Sequence, residues 1–117
     1  MIDDSPLLRA AYQAFNDRDI DAALAVMAPD VDWPNGMVEG GRVHGHDAVR
    51  DYWTRQWSQI DPHVEPIGFR TGTDERITVD VHQIVRDLDG NLLVEQNVQH
   101  VYTLEDRQIK RMEIVGG

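Results

Sequence analysis

The stretch ITVDVHQIVRDLDGNLLVEQNVQHVYTL, residues 77–104, decides how the rest of the chain is read. Two segments, Ile77 to Arg86 and Leu92 to Leu104, alternate apolar and polar residues on either side of Asp89-Gly90. Period-two alternation gives each strand one buried face, and Asp-Gly between such strands marks a hairpin. With Asp89 and Gly90 as a two-residue turn, Val85 lies opposite Val94, Gln83 opposite Gln96, Val81 opposite Val98, Val79 opposite His100 and Ile77 opposite Tyr102. One face is then apolar except for Gln83, Gln96, His100 and Tyr102, while Thr78, Asp80, His82, Arg86, Glu95, Asn97 and Gln99 take the other. A three-residue loop bulged at Gly90 would slip the pairing by one and bring Asp80, His82 and Ile84 beside Val98 and His100. The first register is preferred because the second turns a charged aspartate inward.

Upstream, Ser5-Pro6 marks a helix start, and Leu8, Ala11, Tyr12 and Phe15 recur at helical spacing. Asp19 caps a second helix with the stripe Ile20, Ala23, Leu24 and Met27, which Pro29 stops. Val31 to Trp33 reads as a short strand, and the glycine-rich segment 36–45 as a loop. A third helix is predicted over His46 to Gln59, with Val49, Trp53, Gln56, Trp57 and Ile60 along one side. An extended segment from His63 to Thr71, the two long strands and a last strand from Gln108 to Val115 complete the chain. Helices first and an antiparallel meander after them predict an α+β domain, with three N-terminal helices packed on one sheet face.

The chain has 117 residues, which predicts a single domain over 1–117, and it contains no cysteine, which removes disulfides and thiolate chemistry. Twenty-one acidic against 11 basic residues give a net charge of −10, a balance opposed to binding nucleic acid or an anionic membrane. The first residues, Met1 to Asp4, lack a basic apolar leader, and no apolar run is long enough to span a bilayer, so a soluble cytoplasmic protein is expected.

The order of elements resembles the SnoaL-like branch of the nuclear transport factor two-like superfamily. The residues that carry the likeness are Ala14 to Leu24, Ala28-Pro29-Asp30-Val31-Asp32-Trp33, Gly45-His46-Asp47-Ala48-Val49 and His100-Val101-Tyr102-Thr103-Leu104. The resemblance implies a curved, mostly antiparallel sheet wrapped around the helices as a cone with an internal pocket, and a homodimer formed through the sheet. It does not imply one chemistry, because the superfamily includes isomerases, cyclases, dehydratases, epoxide hydrolases and binders. Ketosteroid isomerase, a relative within the superfamily, uses a first-helix tyrosine, an aspartate before a proline and a strand carboxylic acid. Those positions fall here near Ala11, at Trp33 and at His100, with Tyr12 and Asp32 expected to point elsewhere, so that mechanism is not expected. Nor is an arginine between two aspartates, the epoxide hydrolase arrangement, found on the predicted inner face.

His100 is the first catalytic candidate, because an imidazole on an inner sheet face suits acid-base work near neutral pH. Tyr102 would stabilise an enolate-like oxygen, and His44, on the glycine-rich loop, is a secondary acid-base candidate. Trp33, Trp53 and Trp57 would wall a flat hydrophobic ligand, with Gln83 and Gln96 orienting its polar group. No metal site is expected, since His44 and His46 supply too few ligands, and no cofactor is called for. Two readings stay open. One is a cofactor-independent enzyme moving a proton next to a carbonyl on a hydrophobic metabolite. The other is a non-catalytic binding or dimerisation module with the same residues as a satisfied polar core.

Overall fold

The computed structural model describes residues 5–35, 41–72 and 76–115. The elements run α1 (Ser5–Asn16), α2 (Ile20–Ala25), β1 (Met27–Asn35), β2 (Gly41–His44), α3 (His46–Trp57), β3 (Ile60–Thr71), β4 (Ile77–Asp87), β5 (Leu92–Glu105) and β6 (Gln108–Val115). The six strands form one sheet in the order β2-β1-β6-β5-β4-β3. Every pairing is antiparallel except β1 with β6. Helix α3 packs on β1 and β2 at one margin of the sheet and on β3 at the other. A flat sheet cannot bring both margins to one helix, so the sheet curls around it as a cone. The third helix follows two strands, so the helices are not all N-terminal.

The β4–β5 register is the one expected, with Ile77 opposite Tyr102, Val79 opposite His100 and Gln83 opposite Gln96. The turn that produces it differs. Asp87 N–H donates to Asn91 O and Gly90 N–H to Asp87 O, which encloses a three-residue loop with Gly90 at φ +93°. Such a loop slips the pairing by one residue, as Arg86 opposite Leu92 shows. A bulge then leaves Leu93 unpaired and restores Val85 opposite Val94. Two single-residue irregularities cancel, and Asp80 and His82 stay on the outer face.

Other boundaries moved for identifiable reasons. Helix α2 ends at Ala25 rather than at Pro29, and Met27 and Pro29 belong to β1. Pro29 lies where the β1–β6 register breaks between Met27 and Asp32, so its missing N–H deprives no ladder bond there. Residues 41–44, expected as loop, pair with β1 as β2; the rest of that loop, 36–40, lies outside the described residues. Strand β3 starts at Ile60 rather than His63 and carries Pro62 and Pro66, which an edge strand tolerates.

Helix α1 is fixed to the β3 edge by polar side chains. Asn16 Nδ2 donates to Val64 O at 2.7 Å, and Val64 N–H donates back to Asn16 Oδ1 at 3.0 Å. Arg18, in the left-handed region at φ +62°, donates to Phe15 O and Pro62 O and pairs with Asp61. The fully buried centre comprises Leu8, Met27, Val31, Val49, Val79, Val81 and Ile109. No helix among the described residues is long and apolar enough to cross a membrane.

The family-like run Gly45-His46-Asp47 has a backbone reason. Gly45 caps α3 at φ +86° and ψ +164°, a conformation essentially restricted to glycine, while its N–H donates to Val31 O. Gly45→Ala is therefore expected to destabilise the fold by about 1–3 kcal/mol, read as a shift in the urea midpoint at unchanged slope.

Candidate functional site

The alternation that drives β5 into the sheet also places His100 and Tyr102 on its inner face, two residues apart, where they meet α1. Tyr12 reaches them from the helix. Its hydroxyl lies 2.8 Å from His100 Nδ1, and the Tyr102 hydroxyl donates to Tyr12 Oη, also at 2.8 Å. Their order in space is Tyr102, Tyr12, His100. Tyr12 was expected to face elsewhere, one residue away from the tyrosine position of ketosteroid isomerase. Instead it is 4 % exposed and stands at the centre of the cluster. Its stripe on α1 was legible in the sequence; the rotation of that stripe relative to β5 was not.

His100 is the one buried polar residue outside the tyrosines among the described residues. Burial pushes its pKa down to about 4, so the imidazole is neutral at pH 7. Burial likewise raises both tyrosines well above the ordinary phenol range, Tyr12 further through its neighbour Tyr102, so both remain protonated. With each hydroxyl donating to the next group, the chain runs from Tyr102 through Tyr12 to Nδ1. In that arrangement Nε2 carries the imidazole proton.

The trio closes one wall of a cavity of about 80 Å³, room for several waters. The other walls come from Phe15 of α1, Trp33 and Pro34 of β1, Tyr52, Trp53 and Gln56 of α3, Pro62 and Val64 of β3, Gln83 of β4, and Met112 and Ile114 of β6. Aromatic rings make a continuous belt. Trp53 meets Trp33 edge-on at 5.5 Å between centroids, Trp33 meets Tyr102 at 6.4 Å, and Tyr12 stacks on His100 at 5.8 Å. No Asp, Glu, Lys or Arg lines the cavity among the described residues.

Five of the sequence-derived candidates, His100, Tyr102, Trp33, Trp53 and Gln83, come together in this wall. Three do not. His44 sits outside, its side chain 69 % exposed and 3.5 Å from Asp32, because β2 pairs it directly with Asp32 on the sheet face turned away from the pocket. Trp57 lies behind the cavity wall, packed on Phe15 and Trp53, with the Arg18 guanidinium 4.9 Å from its ring centre. Gln96 is exposed where the hairpin extends beyond the helices, and its amide donates to Gln83 Oε1 at 3.1 Å. The sequence reading did not count Tyr12, Phe15, Tyr52 and Gln56 among the site residues. Gln56 did lie on the predicted inner stripe of α3.

Asp32 points away from the cavity, as expected, and pairs with Arg42 and Arg111. Despite partial desolvation, the hydrogen bond from Arg42 and the charges of Arg42 and Arg111 lower its pKa. The His46 ring bonds to Met27 O at 3.0 Å. Among the described residues, no group of three or more His, Asp or Glu side chains is placed to hold a metal ion.

The His100 shift has a definite sign in solution. Its folded pKa near 4 lies below the ordinary 6.5, so acid protonates the unfolded chain first. Stability from this residue is complete above pH 6.5 and declines by about 1.4 kcal/mol per pH unit towards pH 4. His100→Gln is expected to flatten the curve of stability against pH in that window, measured by urea unfolding of both proteins. Equal slopes would show that folding does not lower the His100 pKa.

Residues 8–112 match the family model of the SnoaL-like domain. No curated protein matches the chain. Among solved structures, TerC co-crystallised with polyporic acid is 28 % identical over 97 % of this chain and 91 % of its own, with a TM-score of 0.83. An NTF2-like protein of unknown function from Burkholderia pseudomallei K96243 is 30 % identical over 100 % of this chain and 92 % of its own, with a TM-score of 0.84. Rv0760c from Mycobacterium tuberculosis, in complex with estradiol-17β-hemisuccinate, shares the fold at 17 % identity over 93 % of this chain and 89 % of its own, with a TM-score of 0.79.

Proposed function

The chain belongs to the SnoaL-like domain family, within the nuclear transport factor two-like superfamily, and we propose that its pocket takes an uncharged, hydrophobic, carbonyl-bearing small molecule and moves a proton next to that carbonyl. The observation that carries this reading is a neutral His100 in the cavity wall with Nδ1 committed to Tyr12, which leaves Nε2 as its nitrogen for a ligand. Small-molecule complexes of TerC and Rv0760c support the binding part.

The chemistry follows from the surroundings. A wall whose described residues include no charged side chain favours a neutral ligand, since an ion would lose its hydration without a partner. Nε2–H donates to a substrate oxygen, or, in the other tautomer, the Nε2 lone pair takes a proton from the adjacent carbon. Before a ligand binds, burial disfavours imidazolium; negative charge developing on an enolate beside it favours imidazolium and offsets that penalty. Tyr12 and Tyr102 hold the ring, and Gln83 offers a further polar contact.

The second reading, a binder without turnover, is favoured by the absence of a lining carboxylate among the described residues. Proton exchange separates the two. With 2-tetralone in D₂O, the wild type is expected to accelerate loss of the α-proton signals in NMR, and His100→Gln to abolish the acceleration. Binding with no faster exchange would favour the binder, and no binding would overturn the pocket assignment for this class.

The proposal includes a two-fold dimer through the outer sheet face, which the packed helices leave uncovered. There Ile84 and Val101 are half-buried and Leu93 is exposed, among Thr78, His82, Asn97 and Gln99, a mixture suited to a non-obligate interface. The charge of −10 opposes association at low salt, but the Debye length is only about 8 Å at physiological ionic strength. Light scattering at micromolar concentration and physiological salt should return twice the chain mass; a monomer mass would overturn the dimer.

A further inference from the structure

The cavity lining includes a second polar pair that the reading above does not use. On α3, one helical turn apart, Gln56 Nε2 donates to Tyr52 Oη at 3.2 Å, and both residues line the cavity together with Trp53 between them in sequence. Trp53 leads along the aromatic belt through Trp33 to Tyr102, in ring-to-ring steps of 5.5 and 6.4 Å. The belt thus runs from α3, which carries the Tyr52–Gln56 pair, to Tyr102 of the trio on β5. Gln56 retains its carbonyl oxygen and a second amide hydrogen, for which the described residues show no partner.

We infer that Tyr52 and Gln56 form a second ligand anchor, and that the pocket selects an uncharged, flat aromatic molecule with an oxygen function at each end. One end meets His100 and the other meets the α3 pair, with the ring system between them lying against Trp33 and Trp53. The inference rests on the pocket reading and adds the identity of the opposite contact. A ligand with a single oxygen satisfies one end and leaves the open groups of Gln56 to water. A carboxylate or phosphate at either end finds no cationic side chain among the described lining residues.

A pair of probes differing in one hydroxyl tests this: 4-hydroxybiphenyl and 4,4′-dihydroxybiphenyl, titrated by calorimetry, with the His100 ring resonances followed by NMR. The diol should bind the wild type roughly threefold to tenfold more tightly, the range of one net neutral hydrogen bond. Gln56→Met should remove that advantage and leave the affinity for 4-hydroxybiphenyl within about twofold. Tyr52→Phe keeps the ring and should act in the same direction, which preserves the test if Gln56→Met folds poorly. A diol advantage that persists in both variants, or is missing from the wild type, overturns the second anchor. So does an equal weakening of both probes in either variant, which would mark the pair as scaffold. Failure of 4-hydroxybiphenyl to perturb the His100 resonances of the wild type would instead overturn the pocket reading and the second anchor with it.

Discussion

The pairing of β4 with β5 is the constraint on which the rest of this molecule depends. Side chains of a strand alternate between faces, so a shift of one residue would exchange the two sets completely. The loop at Gly90 introduces such a shift, and the bulge at Leu93 removes it within two residues. Below that point Val79, Val81, Val98, His100 and Tyr102 are buried together, and the helices have an apolar surface to close upon. The position of the imidazole opposite Val79, and so the chemistry of the pocket, is settled some 30 Å away at the hairpin tip, as estimated from about ten residues at 3.4 Å each.

The same alternation divides the electrostatics of the protein. Among the described residues, the inside carries neutral hydrogen-bonding groups: three phenols, an imidazole and carboxamides. Outside, ion pairs run across the sheet, with Asp32 between Arg42 and Arg111 and Asp80 accepting from Arg70 and Gln99. His82 illustrates the contrast with His100. Its two ring nitrogens face Asn97 at 2.8 Å and Glu95 at 3.0 Å, and those hydrogen bonds raise its pKa, whereas burial lowers that of His100. Two histidines on opposite faces of one hairpin are thus tuned in opposite directions, by polar partners in one case and desolvation in the other.

Much of this was legible in the sequence because alternation is a local signal. The faces of β4 and β5, the Asp19 cap and the inward position of Trp33 follow from spacing and residue type alone. The gaps in the reading concern relations between distant segments. Pro29 was read as a helix stop and the extended segment was begun only after Pro62, yet both prolines lie in strands, one at a register break and one at an edge, locations that only the sheet order reveals. Tyr12 was placed wrongly because its direction depends on the angle at which α1 meets the sheet. His44 was assigned to a covering loop because a four-residue strand without clear alternation leaves little trace in composition.

The fixing of α1 to β3 has a further consequence for how copies of this protein meet. An open sheet margin is a template on which another chain can lay a strand. Here Pro62 and Pro66 cannot donate along that margin, Asn16 occupies both backbone groups of Val64, and Arg18 occupies the carbonyl of Pro62. The opposite margin, β2, is only 4 residues long. Strand-upon-strand polymerisation is therefore hindered along the first half of β3 and starved of length at β2, a built-in resistance to runaway aggregation.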